Sequence, residues 1–266
     1  MVKTNQLLNL TNKTAIVTGG SLGIGKAIVY RLAEAGGKVL FTGRNKEEIK
    51  KSEDEFKKLN FQVVGLKSDV SVEEDIKKMI DETVSRFGGL DILVNNAGVY
   101  PSQLVSQMSE EDFKKVIDIN LKGVFLASKY GSEMMIKQGK GGKIINISSI
   151  AAIHAISPGL AHYVASKHAV WGFTKTLALE LAPYNIQVNA IAPGAIATPG
   201  VQKMNSGTSQ ADVDMVKVLE EFMKKIPMRR MGEADEIAKV VLFLASEMSS
   251  YMTGSQIVVD GGRLLT

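Results

Sequence analysis

The 266-residue chain contains no cysteine, which excludes disulfides, thiolate nucleophiles and thiolate metal sites together. Histidine is also scarce: His154, His162 and His168 are the only three, and they lack the carboxylate pattern of a zinc motif, so no metal is expected. No apolar run is long enough to span a bilayer, and the apolar centre of "MVKTNQLLNLTNK" is too short for a signal peptide. A cytoplasmic protein away from the membrane is the expectation. A basic block interleaved with aromatics is missing too, because the net charge of +4 comes from lysines scattered among glutamates, as in "NKEEIKKSEDEFKK". That pattern belongs to solvated helix faces and argues against a nucleic-acid partner.

What is present is an ordinary globular composition, 45% hydrophobic and 23% charged, arranged in alternation. Strand-like runs stand at 14–18, 38–42, 61–67, 91–94, 143–148, 186–191 and 256–259. Between them lie amphipathic helical stretches at 24–35, 46–58, 72–87, 110–138, 159–182 and 233–246. Strands separated by helices require right-handed parallel crossovers, so the expected fold is α/β, one doubly wound parallel sheet of about seven strands flanked by helices. A stretch at 195–228 is long without being a strand or a clear helix, and its place after a parallel strand marks it as a substrate lid.

After the first strand, Gly19, Gly23 and Gly25 occur in Gly-x-x-x-Gly-x-Gly spacing and lead directly into a helix. Glycines let the backbone approach a pyrophosphate, and the helix amino terminus stabilises its charge. The end of the second strand reads the adenosine ribose: a carboxylate there suits NAD, a cation the 2′-phosphate of NADP. Here "FTGRNKEE" supplies Arg44 and no acid before it, which favours NADP(H) and leaves NAD(H) possible, with Ser21 adding a phosphate hydrogen bond.

Tyr163 and Lys167, four apart in "HYVASKHAV", share one face of a helix, with Ser148 and Ser149 ending the preceding strand and Asn120 in "DINLKG". Together with the glycine-rich turn and Asn95-Asn96-Ala97-Gly98, these motifs resemble the short-chain dehydrogenase/reductase family over almost the whole chain, from Thr18 to "VVDGG". The resemblance implies a single Rossmann-like domain over 1–266, a nicotinamide cofactor and a homotetramer. It implies catalytic roles for four residues: Tyr163 as general acid/base, Ser149 bonding the substrate oxygen, Lys167 on the nicotinamide ribose and Asn120 holding a water of a proton relay. It further implies a cofactor site of Gly19, Ser21, Leu22, Gly23, Ile24 and Gly25; Arg44; Asp69 and Val70 beside the adenine; Asn96, Ala97 and Gly98; Tyr163 and Lys167; and Pro193, Gly194, Ile196 and Thr198 at the carboxamide. A free tyrosine is a poor base at neutral pH, so the Lys167 ammonium and the positive nicotinamide are expected to pull Tyr163 down. An aspartate capping the helix at 72–87 is the bland alternative for Asp69.

Candidates for the substrate wall are Tyr100, Pro101, Gln103, His154, Ile156, Pro158 and His162, with the lid from 201 to 223. Ser149, His154, Tyr163 and Met204 form the narrower pocket. Most of these are apolar or aromatic, whereas His154, His162 and Gln103 suit sugar hydroxyls. The expected activity is oxidoreduction of a small ketone, polyol or sugar, glucose-dehydrogenase-like. The lid is longer than the compact loop of 3-oxoacyl-[acyl-carrier-protein] reductases of fatty acid synthesis, which are the alternative. A non-catalytic dinucleotide-sensing regulator is the remote one, opposed by the intact set Asn120, Ser149, Tyr163 and Lys167.

Overall fold

The alternation of strand and helix is realised as a seven-stranded parallel sheet in a computed structural model that describes residues 3–198 and 223–266. Its strands are β1 (Thr14–Val17), β2 (Lys38–Gly43), β3 (Val63–Lys67), β4 (Ile92–Asn95), β5 (Gly142–Ile147), β6 (Ile186–Pro193) and β9 (Gln256–Val259). They lie in the order β3-β2-β1-β4-β5-β6-β9, so strand order reverses between β1 and β4, where a Rossmann-like sheet opens a ligand crevice. Two further strands, β7 (Ile196–Ala197) and β8 (Gly232–Glu233), pair with each other and were not foreseen. The helices are α1 (Gly23–Glu34), α2 (Lys46–Lys58), α3 (Glu73–Phe87), α4 (Glu110–Ile117), α5 (Gly123–Gln138), α6 (Ala161–Leu181) and α7 (Ala234–Ala245). Among the described residues no helix is long and apolar enough to cross a membrane.

Successive strand side chains enter opposite faces, and this divides the core in two. Val17, Val39, Phe41, Val94, Ile145 and Ile191 pack with Ile28 and Leu32 of α1 and with Ile237 and Val241 of α7. Their neighbours Ile16, Leu40, Leu93, Ile144 and Val188 pack on the other face with Ile76 of α3, Met135 of α5 and Leu177 of α6. Each such side chain, removed from water on both strand flanks, contributes about 1.5–3 kcal/mol. The sheet is thereby a rigid platform whose strand ends carry the polar residues.

The helical stretch at 110–138 is not one helix. A π-helical turn, Asp118–Lys122, separates α4 from α5. Two contacts fix the break: Asn120 is turned fully inward, and α5 starts so close to β3's outgoing loop that a Cβ on Gly123 would lie 2.8 Å from Val70 Cγ2. Apolar periodicity runs straight through such a bulge, so the helix irregularity expected at Asn120 follows from the family resemblance and not from the sequence pattern.

Candidate active site

The turn from β1 to α1 is built for close backbone approach. Gly25 packs where a Cβ would fall 2.1 Å from Gly19 O, and Gly19 itself has φ +66°. Helices α2, α3, α4 and α7 each carry acidic residues in the first turn, whereas α1 has none there and no side-chain cap at Leu22. Its terminal N–H groups are thus left for an external anion. Asn96 holds this turn in place by donating to Thr18 O and Gly19 O, at 2.9 and 3.1 Å, while Thr18 Oγ1 accepts from the Asn96 and Ala97 backbones. Sequence reading had assigned this asparagine only a place beside the cofactor; its clamp spans nearly eighty residues and has no local signal. Its neighbour Asn95, on β4, donates to Asn146 of β5 and to Ser128 of α5, tying the central strands together.

The four residues expected to carry the chemistry converge beyond the ends of β4 and β5. Asn120, in the π turn, accepts from Val99 N and donates to Val99 O and to Ser166 of α6. A Cβ on Gly98 would stand 3.4 Å from Asn120 Oδ1 and 3.7 Å from Lys167 Nζ, so the three meet around that glycine. Lys167 is buried, donates to Ile147 O at 2.8 Å, and lies 5.7 Å from the Tyr163 ring centroid. Burial brings its ammonium down to about 8. The Ser148 hydroxyl, by contrast, points to the Lys167 carbonyl, which leaves Ser149 as the serine facing Tyr163.

Without a cofactor, burial dominates at Tyr163. Its phenol is pushed above the ordinary value by burial, a hydrogen bond with Ser149 opposes the rise, and Tyr100 adds to it. Tyr100 meets Tyr163 edge-on at 6.0 Å and walls the space in front of it. His154 is exposed beyond the 3₁₀ turn at Ile150–Ala152, but His162 is wholly buried, so it is not a pocket-wall residue as its position suggested.

Asp69 does not cap α3, whose first residue follows Val72 without a side-chain cap. Its carboxylate instead accepts from Ser71 N and Oγ. Although burial raises its pKa, those bonds and the nearby Arg44 hold it below the usual range. Arg44 is exposed at the end of β2, and Val70, after β3, is buried against the start of α5 at Gly123. Pro193 ends β6, Ile196 opens β7, and Thr198 approaches Gly23 so closely that a Cβ there would be 3.4 Å from its Cγ2. Met204 and most of the expected lid lie outside the described residues. No group of three or more His, Asp or Glu side chains that could hold a metal stands among the described residues.

The family model described as enoyl-(acyl carrier protein) reductase matches residues 19–263. A solved short-chain type dehydrogenase/reductase from Mycobacterium marinum superposes with a TM-score of 0.91 at 36% identity, covering 99% of this chain and 100% of that one. The chain belongs to the short-chain dehydrogenase/reductase family. It is also 40% identical over 258 residues to a 3-oxoacyl-[acyl-carrier-protein] reductase of Thermotoga maritima, covering 97% of this chain and 100% of the relative. An uncharacterized oxidoreductase of the same organism is 38% identical, with 96% and 98% covered. As a short-chain dehydrogenase/reductase the chain is an oxidoreductase of a nicotinamide dinucleotide. The residues present fit that group: an uncapped helix amino terminus without acids meets its pyrophosphate, and the Gly25 packing lets it approach.

Proposed function

We propose that this short-chain dehydrogenase/reductase interconverts a ketone and a secondary alcohol with NADP(H), using Tyr163 as the proton donor and acceptor. The observation that carries it is the convergence of Ser149, Tyr163, Lys167 and Asn120 around one point beyond β4 and β5. When bound, a nicotinamide cofactor would supply or accept the hydride at the carbonyl carbon. Ser149, already bonded to Tyr163, holds the substrate oxygen beside the phenol. Burial keeps Tyr163 protonated at neutral pH, which is the form needed to protonate a developing alkoxide, a far stronger base than phenolate. Lys167, charged below about 8, then stabilises the phenolate left behind and binds the nicotinamide ribose. Asn120 holds the water through which the proton is resupplied.

The NADP(H) preference is supported by the end of β2. A Cβ at Gly43 would fall 2.8 Å from Ser21 Oγ and 3.2 Å from Ile49 Cγ1, so an acidic residue there is crowded out while Arg44 remains exposed. For the substrate, the aromatic wall at Tyr100 and the exposed His154 support a small ketone, polyol or sugar. The names of the relatives support a second reading, a 3-oxoacyl thioester. The family resemblance supports assembly as a homotetramer. Purified protein assayed with NADPH and NADH against small ketones, sugars, polyols and acetoacetyl thioesters separates the readings. Turnover with NADPH is expected on at least one class, and tight NADPH binding with no turnover on any favours a sensing regulator.

A further inference from the structure

Apolar residues occur on every side of α6, from the buried Val170 and Leu177 to Leu179, which is 78% exposed. Burying an apolar stripe therefore does not fix how this helix is rotated or how far it slides along the sheet, because hydrophobic burial has no direction. That placement matters, since α6 carries both Tyr163 and Lys167. Long helix side chains lean back toward the amino terminus, so a shift of the helix moves the Lys167 ammonium directly.

Directional contacts hold α6 at three points. Ser166 accepts from Asn120 of the π turn. Lys167 Nζ donates to Ile147 O of β5, and the Lys167 carbonyl accepts from Ser148 Oγ. The third point lies farther along the helix, where Thr174 Oγ1 accepts from Asn146 Nδ2 at 2.9 Å and donates to Val170 O at 2.8 Å. Asn146 immediately precedes Ile147 on β5, and its Oδ1 accepts from Asn95 of β4, which also donates to Ser128 of α5. A polar chain thus runs from α5 through β4 and β5 to α6, and all four of its side chains are buried. Of their polar atoms only Asn95 Oδ1 lacks a partner, so the link from β5 to α6 is fully satisfied. Thr174 and Lys167 are seven residues apart, nearly two turns or about 10 Å, and so lie on one face of the helix. Lys167 and Asn120 take part in the proposed chemistry, whereas Thr174 and Asn146 do not. A buried, satisfied bond of this kind selects one arrangement where apolar packing accepts several.

We propose that Thr174 is a positioning residue: its bond to Asn146 sets the register of α6 on β5, and with it the reach of the Lys167 ammonium and the Tyr163 phenol. The proposal rests on the reading of Tyr163 as proton donor with Lys167 beside it. With the Thr174 hydroxyl removed, Asn146 Nδ2 is left unpaired in the interior, and α6 shifts to another apolar fit that relieves it.

The test compares Thr174→Val, which keeps the side-chain shape, with Thr174→Ser, which keeps the hydroxyl, and with Leu177→Ala, which weakens the packing of α6 without touching the polar chain. Steady-state kinetics with NADPH and the ketone the parent turns over best, NADPH fluorescence titration and urea unfolding are measured on each full chain. Thr174→Val should lower kcat about tenfold with the ketone KM within about twofold, as misplaced reacting groups require, and Thr174→Ser should restore kcat. The dissociation constant of NADPH should rise several-fold in Thr174→Val through Lys167. Leu177→Ala should lose stability but keep kcat and NADPH affinity within about twofold. Asn146→Ala should lose at least as much kcat as Thr174→Val, and the double variant should be no worse than Asn146→Ala, because both break the same link. If Thr174→Val does not fold, Asn146→Ala and Thr174→Ser decide. Full kcat and NADPH affinity in Thr174→Val, failure of Thr174→Ser to restore kcat, or an equal loss of kcat in Leu177→Ala overturns the proposal. The NADPH titration needs no turnover, so failure of the Tyr163 reading appears separately, as undiminished activity of Tyr163→Phe.

Discussion

At the scale of single residues, the site holds groups that lower stability and serve chemistry. Lys167 is the clearest, with a folded value of about 8 against 10.5 when unfolded. For a group depressed in this way, stability is fully present above 10.5, falls as pH drops, and carries the whole penalty below about 8. Lys167→Met should therefore raise the stability of the cofactor-free protein at pH 7 by roughly 2 kcal/mol, after allowance for the lost bond to Ile147 O, while abolishing turnover. Urea unfolding at pH 7 and pH 10 checks this, since the gain should shrink at the higher pH. Arg44→Gln addresses the cofactor: the Michaelis constant for NADPH should rise roughly tenfold or more with that for NADH little changed, as loss of a charge-assisted phosphate contact requires. Equal effects on both would remove the phosphate role from Arg44.

Among the elements, the π turn at Asp118–Lys122 does the most to assemble the site. It turns Asn120 inward to hold both backbone groups of Val99 and the hydroxyl of Ser166, so the loop after β4 and the helix carrying Tyr163 are joined through one side chain. Asn120→Ala should lower stability by about 2 kcal/mol and kcat at least tenfold. Denaturant unfolding and steady-state kinetics measure the two separately, and a stability loss with full kcat would leave Asn120 a purely structural role. This element also marks the boundary of what the sequence discloses. Seven strands and their helices are legible because burial on a sheet imposes a period of two and packing on it a period of 3.6. Ser149, Tyr163 and Lys167 stand out through the family resemblance, because a Tyr and a Lys four apart are common on any helix. The π turn, the Asn96 clamp on Gly19 and the burial of His162 depend on partners far away in the chain, and local patterning carries no trace of them. The burial that raises Tyr163 in the cofactor-free protein, and the Tyr100 ring beside it, likewise come from packing and not from a local pattern.

For the whole molecule, the two-faced core and the reversal of strand order bring a nucleotide-binding turn from near the amino terminus against a proton-transfer group from the middle of the chain. The proposed chemistry depends on that juxtaposition: binding belongs to the β1–α1 turn, and proton transfer to Tyr163 on α6. The two should therefore separate cleanly in Tyr163→Phe, with NADPH fluorescence titration and ketone turnover measured on the same preparation. NADPH binding within about threefold of the parent, together with turnover reduced by roughly 10²–10⁴, is the expected result. Retention of a tenth or more of the parent turnover by Tyr163→Phe, with the cofactor still bound, would show that the proton comes from elsewhere.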